Sequence, residues 1–297
     1  KRRLEKKDVF KNKETENWSS ISFTLPDLKV GSVIEYRYSY TTPYFQRLDD
    51  WFFQSDIPKI KSEYDSSILA NYKYNVSLRG FYKLDKNNPS IKKRCLEIPG
   101  LSGGSCIRIS FGMNDIPAFK EEDYMTSSKN FISRVSFELK TYTHTNGTET
   151  NYTDSWKSTD KRFKSGDYFG SELRKSNFFK KKLSEDILSE ADQLQKAQKV
   201  FYFIQNHFTD NDKSFSYRKI DTKKSFNSKV GNTADINISL YNALKSSGIK
   251  AKVALVSTRD NGTPTKIYPV ITEFNYIVVL AEINGKEYCL DATRKNL

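Results

Sequence analysis

The sequence predicts a two-domain protein, with an N-terminal all-β part, antiparallel and sandwich-like, followed by an α+β part. Three observations point there. The first half reads as short β-type runs separated by turn residues. The second half opens on helical periodicity. It closes on two β-type runs joined by Asn284-Gly285, the strongest short-range hairpin signal. A chain of 297 residues is also long for one core and suits two.

The elements follow in chain order. Residues 21–44 give two β-rich runs, separated by a Pro26-Asp27 turn and a break at Gly31. In VIEYRYSY, Val33, Glu35, Arg37 and Ser39 alternate with Ile34, Tyr36, Tyr38 and Tyr40, the pattern of a one-sided strand. Residues 71–82 and 131–143 repeat that style. The β part is expected over residues 1–158. Residues 159–183 are polar and basic with short apolar anchors, and read as a connector with one helical turn. The α+β part is expected over 184–297. It begins with a helix from Ser184 to His207, with Ser184 as N-cap and an apolar stripe of Ile187, Leu188, Ala191, Leu194, Val200, Phe201 and Ile204. A second helix starts near Asn232 or Thr233 and stops at Gly248. The strand AKVALVSTR and the hairpin FNYIVVLAEI-NG-KEYCLDAT complete it.

Composition narrows the functional classes. The net charge is +13, but the lysines are spread along the chain in short patches such as Lys180 to Lys182. No zinc-finger, helix-turn-helix or RNP-type pattern goes with them, so nucleic acid is not expected as a partner. An acidic glycan or a membrane surface remains compatible with the charge. No apolar run approaches the length needed to span a bilayer. The two histidines, His144 and His207, lie near no ligand set, and no metal or cofactor is implied. Of the three cysteines, Cys95 and Cys106 bracket LEIPGLSGGS, a Gly/Pro/Ser-rich turn. A hairpin there would bring them within disulfide reach; the alternative is two unpaired thiols. Cys289 stands apart.

The Asn284-Gly285 turn allows a register to be counted. Ile283 faces Lys286, Leu280 faces Cys289, Val278 faces Asp291 and Tyr276 faces Thr293. Tyr276 and Asp291 are then diagonal neighbours on one face. Thr233 at the helix start, Tyr276 and Asp291 become three candidate corners of one site.

A helix opening G-N-C-x-D, then a strand, then F-N-H on one hairpin strand and L-D-x-T on the next, resembles the transglutaminase-like (papain-like) core. Gly231-Asn232-Thr233-Ala234-Asp235, Phe274-Asn275-Tyr276 and Leu290-Asp291-Ala292-Thr293 lie on those motifs. In that family a cysteine sits at the helix N-terminus, a histidine is its base and an aspartate orients the histidine. Here Thr233 holds the cysteine position and Tyr276 the histidine position, and Asp291 alone matches. In the first half, FTLPDLKVGSVIEYRYSYTTPY, WFFQSDIPKIKSEY and FGMNDIPAFKEEDY resemble the DUF3857 domain. That domain commonly precedes a transglutaminase-like domain in cell-envelope proteins of Bacteroidota.

The resemblance implies a degenerate triad and no catalytic residue. A threonine hydroxyl in mid-chain is a weak nucleophile, and a phenol titrating near pH 10 is the wrong base. Thr233 or Asn232 then serves as an N-cap, and Tyr276 bonds Asp291 across the hairpin. The expected role is a binding or assembly module in the periplasm or at the outer membrane, with an envelope protein, peptide or glycan as partner. Membrane association would come only through an N-terminal anchor, since the opening KRRLEKKD looks like a cut and a mature fragment is expected. Two alternatives stand. One is an active peptidase, transglutaminase or amidase with a displaced nucleophile such as Cys289. The other is a glycan or peptidoglycan binder that uses the aromatic-rich first part and the positive charge.

Overall fold

A computed structural model describes residues 3–13, 19–39, 48–98, 101–153, 155–166, 169–212 and 220–294. Packing divides the chain into a unit Lys1–Pro43 and a unit Tyr44–Leu297. In the first unit, β1 (Val9–Lys13) and β2 (Ser19–Phe23) pair antiparallel, with Val9 opposite Phe23. The strand expected over VIEYRYSY does not form: residues 32–39 join no ladder, and Val33 is 95% exposed. Alternation alone does not make a strand, because the backbone groups also need a partner edge. Tyr36 instead meets the rings of Phe23 and Tyr38. Tyr40 and residues 41–44 fall outside the described residues.

The second unit begins with strands. A four-stranded antiparallel sheet is built on β9 (Arg134–Thr143), paired with β3 (Trp51–Phe52), β5 (Tyr72–Arg79) and β10 (Glu149–Asn151). A second is built on β8 (Leu101–Ile116), paired with β4 (Lys59–Leu69), β6 (Lys86–Asn87) and β7 (Ser90–Ile98). Alternate residues of the two central strands share one core: Ile109, Phe111 and Met113 from β8 meet Val135 and Phe137 from β9. Each sheet therefore buries one face and leaves the other polar, which is why the sequence alternates. Cys95 on β7 and Cys106 on β8 are joined as a disulfide, with Cα atoms 5.7 Å apart.

Strands give way to helices between Asn151 and Trp156. The segment expected as a connector with one helical turn holds three helices: α1 (Trp156–Ser165), α2 (Phe169–Glu172) and α3 (Ser176–Lys180). Ser155 and Ser158 form a reciprocal cap at the start of α1. The apolar anchors are far apart in the sequence, but Phe169 and Phe179 are both buried. Isolated anchors among lysines leave little periodicity to detect.

The single helix expected from Ser184 to His207 is two, α4 (Glu185–Leu188) and α5 (Gln193–His207). Local side-chain bonds compete with the helix between them. Asp192 accepts from the Gln195 N–H at 2.9 Å, and Glu190 accepts from the Asp192 N–H at 3.1 Å. Ser184 makes no side-chain cap bond. The break shifts the helical phase, so Ile187, Val200 and Ile204 are buried while Ala191 and Leu194 are exposed.

α6 (Thr222–Ser228) leads to a short parallel pair, β11 (Thr209–Asp210) with β12 (Val230–Gly231). Then comes α7 (Thr233–Ser246), buried on every side: Ile236, Ile238, Leu240, Ala243 and Leu244 are fully enclosed. Its buried set also includes the polar Asp235, Asn237, Ser239 and Asn242, so this helix sits inside the domain with its polar groups enclosed. The antiparallel sheet β13 (Lys250–Val256), β14 (Tyr276–Ile283) and β15 (Lys286–Leu290) packs on it through Ile277, Val279, Ala281 and Ile283. The β14–β15 ladder pairs Ile283 with Lys286 and Leu280 with Cys289. Asn284 and Gly285 both have positive φ, 50° and 77°, as a primed hairpin turn requires.

The disulfide clips the β7–β8 hairpin across a separation of 11 residues. Replacing Cys95 and Cys106 by serine, or reducing the bond, is expected to lower the unfolding free energy by about 2–3 kcal/mol in urea melts. The exposed Cys289→Ser change should leave it within about 0.5 kcal/mol.

Candidate functional site

The start of α7 is held by its own sequence. Asn232 is the N-cap: its Oδ1 accepts from the Ala234 and Asp235 N–H groups at 2.9 and 3.1 Å. Asp235 returns the bond, its Oδ2 accepting from the Asn232 N–H at 3.3 Å. The same carboxylate accepts from the Asp221 N–H at 3.1 Å, tying α6 to α7. Burial raises the Asp235 carboxyl above its ordinary value, against these backbone donors. Gly231 is required by closeness: a Cβ there would lie 2.9 Å from the Asp235 Cβ.

Thr233 is therefore the first residue of the helix rather than its cap. Its hydroxyl lies near enough to Tyr276, at the start of β14, to act weakly on the phenol. The Tyr276 hydroxyl donates to Asp291 Oδ2 at 2.6 Å and lies 2.9 Å from Thr293 Oγ1. The structure thus brings Thr233, Tyr276 and Asp291 together, although the regular β14–β15 ladder ends at Val279 and Leu290. All three side chains are half-buried.

Two further residues complete the cluster. Asn237, fully buried, lies one helical turn beyond Thr233 on the same face. Its Nδ2 donates to Asp291 Oδ1 at 2.9 Å and to the Ile277 carbonyl at 2.8 Å, and its Oδ1 accepts from the Ala292 N–H at 2.9 Å. Thr293 donates to Asp291 Oδ1 twice, from its backbone at 3.1 Å and its hydroxyl at 2.7 Å. Sequence reasoning passed over Asn237. The available signal was a polar residue four positions after Thr233, on the same face of the helix.

The electrostatics follow from these bonds. Burial pushes the Asp291 carboxyl up, but donors from Tyr276, Asn237 and Thr293 outweigh it and hold the carboxyl below its ordinary value. Burial, then the adjacent Asp291 charge, raises the Tyr276 phenol above its ordinary value. At neutral pH the phenol keeps its proton and directs it at the carboxylate. Such a group donates; it does not accept a proton from a nucleophile.

Neither histidine reaches this cluster. His207 stacks on Phe226 with ring centroids 3.8 Å apart, and its Nε2 lies 2.7 Å from the Phe226 carbonyl oxygen. His144 meets Thr150 at the β9–β10 turn. Cys289 is exposed on β15 opposite Leu280. Among the described residues no group of three or more His, Cys, Asp or Glu side chains could hold a metal ion, and no helix is long and apolar enough to cross a membrane.

Asp291 has its carboxyl depressed in the folded state. Its stabilising effect is present above the ordinary carboxylate range and is lost as pH falls through the folded value, below about pH 4. Tyr276→Phe removes one donor, so the acid-unfolding midpoint should rise and stability at pH 7 fall by roughly 1–3 kcal/mol. Circular dichroism against pH reads both effects.

Residues 181–287 match the Transglutaminase-like superfamily; Asp291 and Thr293 lie just past that match. No curated protein matches the chain. Among solved structures, a "putative protease" from Parabacteroides distasonis is similar, with a TM-score of 0.55 and 15% identity over 85% of this chain. The chain spans only 44% of that structure. A "putative cysteine protease" from Cytophaga hutchinsonii aligns at 13% identity over 82% of this chain and 79% of its own, with a TM-score of 0.33, too loose a likeness to carry weight. At such identities the likeness is one of fold. Residues 181–287 form a transglutaminase-like domain, and the chain shares its fold with part of the Parabacteroides distasonis structure.

Proposed function

We propose that this transglutaminase-like domain is catalytically inactive and that the protein works as a binding or assembly module in the bacterial cell envelope. One observation carries the first half of that reading: the Tyr276 phenol, at the position where the fold family keeps its base, donates to Asp291 at 2.6 Å. Acyl transfer needs a nucleophile that can lose a proton and a neighbour that can take it. Thr233 offers a hydroxyl, and its neighbour Tyr276 is a protonated donor. The first turn of α7 caps itself through Asn232 and Asp235. The helix start that would sharpen a cysteine thiolate is kept as scaffold.

The envelope half of the reading draws on the Cys95–Cys106 disulfide, since such bonds persist in oxidising compartments and are rare in the cytosol. It also draws on the likeness of the first-half motifs to DUF3857 domains of envelope proteins.

In a Cys289→Ser background, the protein should show no amide hydrolysis or amine incorporation above buffer. Thr233→Cys with Tyr276→His should label with iodoacetamide at neutral pH about tenfold faster than Thr233→Cys alone, because the histidine would share Asp291 and draw off the thiol proton. Wild-type turnover abolished by Thr233→Ala would overturn the inactive reading.

Thiol trapping in the native cells tests the compartment. Cys95 and Cys106 should be found oxidised with Cys289 free; a fully reduced protein would contradict an envelope location.

A further inference from the structure

The polar face of the β5–β9 ladder carries an unusual pairing. Arg79 stands directly opposite Arg134, Ser77 opposite Ser136 and Asn75 opposite Glu138. The other face of β9 supplies Val135, Phe137 and Leu139 to the buried interior. Like charges directly opposite in a ladder repel, and burial sharpens the repulsion. Yet Arg134 is only 7% exposed.

This face is the floor of a cavity of about 350 Å³, roofed by residues 261–263 and 268–273 of the segment between β13 and β14. The volume lies in the range of small-ligand sites. Arg79 is bound to the roof: its Nη1 donates to the Thr263 carbonyl at 2.9 Å and its Nη2 to Glu273. Arg134 is less well served. It donates one hydrogen bond, to the Lys129 carbonyl, and its side chain packs over the Phe52 ring. Its Nε lies 3.4 Å from Asp50 Oδ2, but that buried nitrogen makes no hydrogen bond. A guanidinium has five N–H donors in a fork that fits a carboxylate. A carboxylate entering beside Arg134 would add an acceptor to its fork and a further negative charge to those of Asp50 and Glu273, which already face the two arginines.

Four residues along β9 on the same face, Glu138 also lines the cavity, its Oε1 accepting from the Thr153 hydroxyl at 3.4 Å. The Cα separation is about 13 Å by strand rise. An extended peptide of two or three residues spans roughly 7–10 Å, leaving room for both side chains to lean inward. A positive end near Glu138 and a negative end at the arginine pair would match that spacing.

We propose that this cavity binds a short peptide by its two free ends, the carboxylate at Arg134 with Arg79 and the ammonium at Glu138. The site is separate from the Thr233 cluster and stands whether or not that cluster is catalytic.

Isothermal titration of the full chain with Ala-Ala and Ala-Ala-Ala tests it. At least one should bind, with N-acetylation and C-amidation each weakening binding about tenfold. Glu138→Gln should erase the difference between free and acetylated peptide, which a residue serving only the fold would leave in place. Arg134→Lys should weaken the preference for the free carboxylate, since it loses the fork but keeps the charge; if it unfolds, the Glu138→Gln result decides alone. No heat from either peptide at millimolar concentration, or binding indifferent to both end modifications and to Glu138→Gln, would overturn the proposal.

Discussion

The carboxylate of Asp291 accepts hydrogen bonds from three residues on three pieces of chain: Tyr276 on β14, Asn237 on α7 and Thr293 beyond β15. A half-buried charge is tolerable only when it is served this fully. Asn237 extends the bond set to the backbone at Ile277 and Ala292. The buried helix and the hairpin are thus fixed to each other at the level of the first helical turn. The apolar packing of Ile236, Leu240, Val279 and Ala281 then has a defined register to fill. Apolar contact alone is non-directional and would tolerate a slide.

The same bonds decide the chemistry of the site. Every donor that stabilises the Asp291 charge also commits the Tyr276 proton to it. A histidine at this position would present one nitrogen to the aspartate and keep the other for a nucleophile. A phenol has a single oxygen, and here that oxygen faces Asp291, Thr293 and Thr233 together. On this reading the fold has traded a proton relay for a structural bond. The arginine pair of β5 and β9 is a different case, because Arg134 Nε is left without a hydrogen-bond partner after the fold is built.

How much could be read beforehand varied with the range of the interactions. The β14–β15 pairing was legible because Asn284-Gly285 admits one kind of turn, and the turn sets the register. The start of α7 was legible from Asn232 and Asp235, whose side chains act on backbone within three residues. Asn237 was not, since its partners are 40 and 54 residues away. The break at residues 189–192 was missed because Asp192 and Glu190 look like ordinary helix-surface residues until their backbone bonds are seen. α1 to α3 were missed because their apolar anchors are buried by distant elements, not by a local stripe. VIEYRYSY failed as a strand for the opposite reason: the local pattern was clear, and the partner edge was lacking among the described residues.

The central claim is that Tyr276 is a proton donor locked to Asp291, and the most direct test is a titration of the tyrosine itself. Carbon-13 NMR of the tyrosine Cζ, with the Tyr276 signal assigned by its loss in Tyr276→Phe, follows the phenol against pH. The account predicts that this signal stays phenolic through the ordinary tyrosine range near pH 10 and moves only above it. A tyrosinate near neutral pH would contradict it, because Tyr276 could then accept a proton from Thr233.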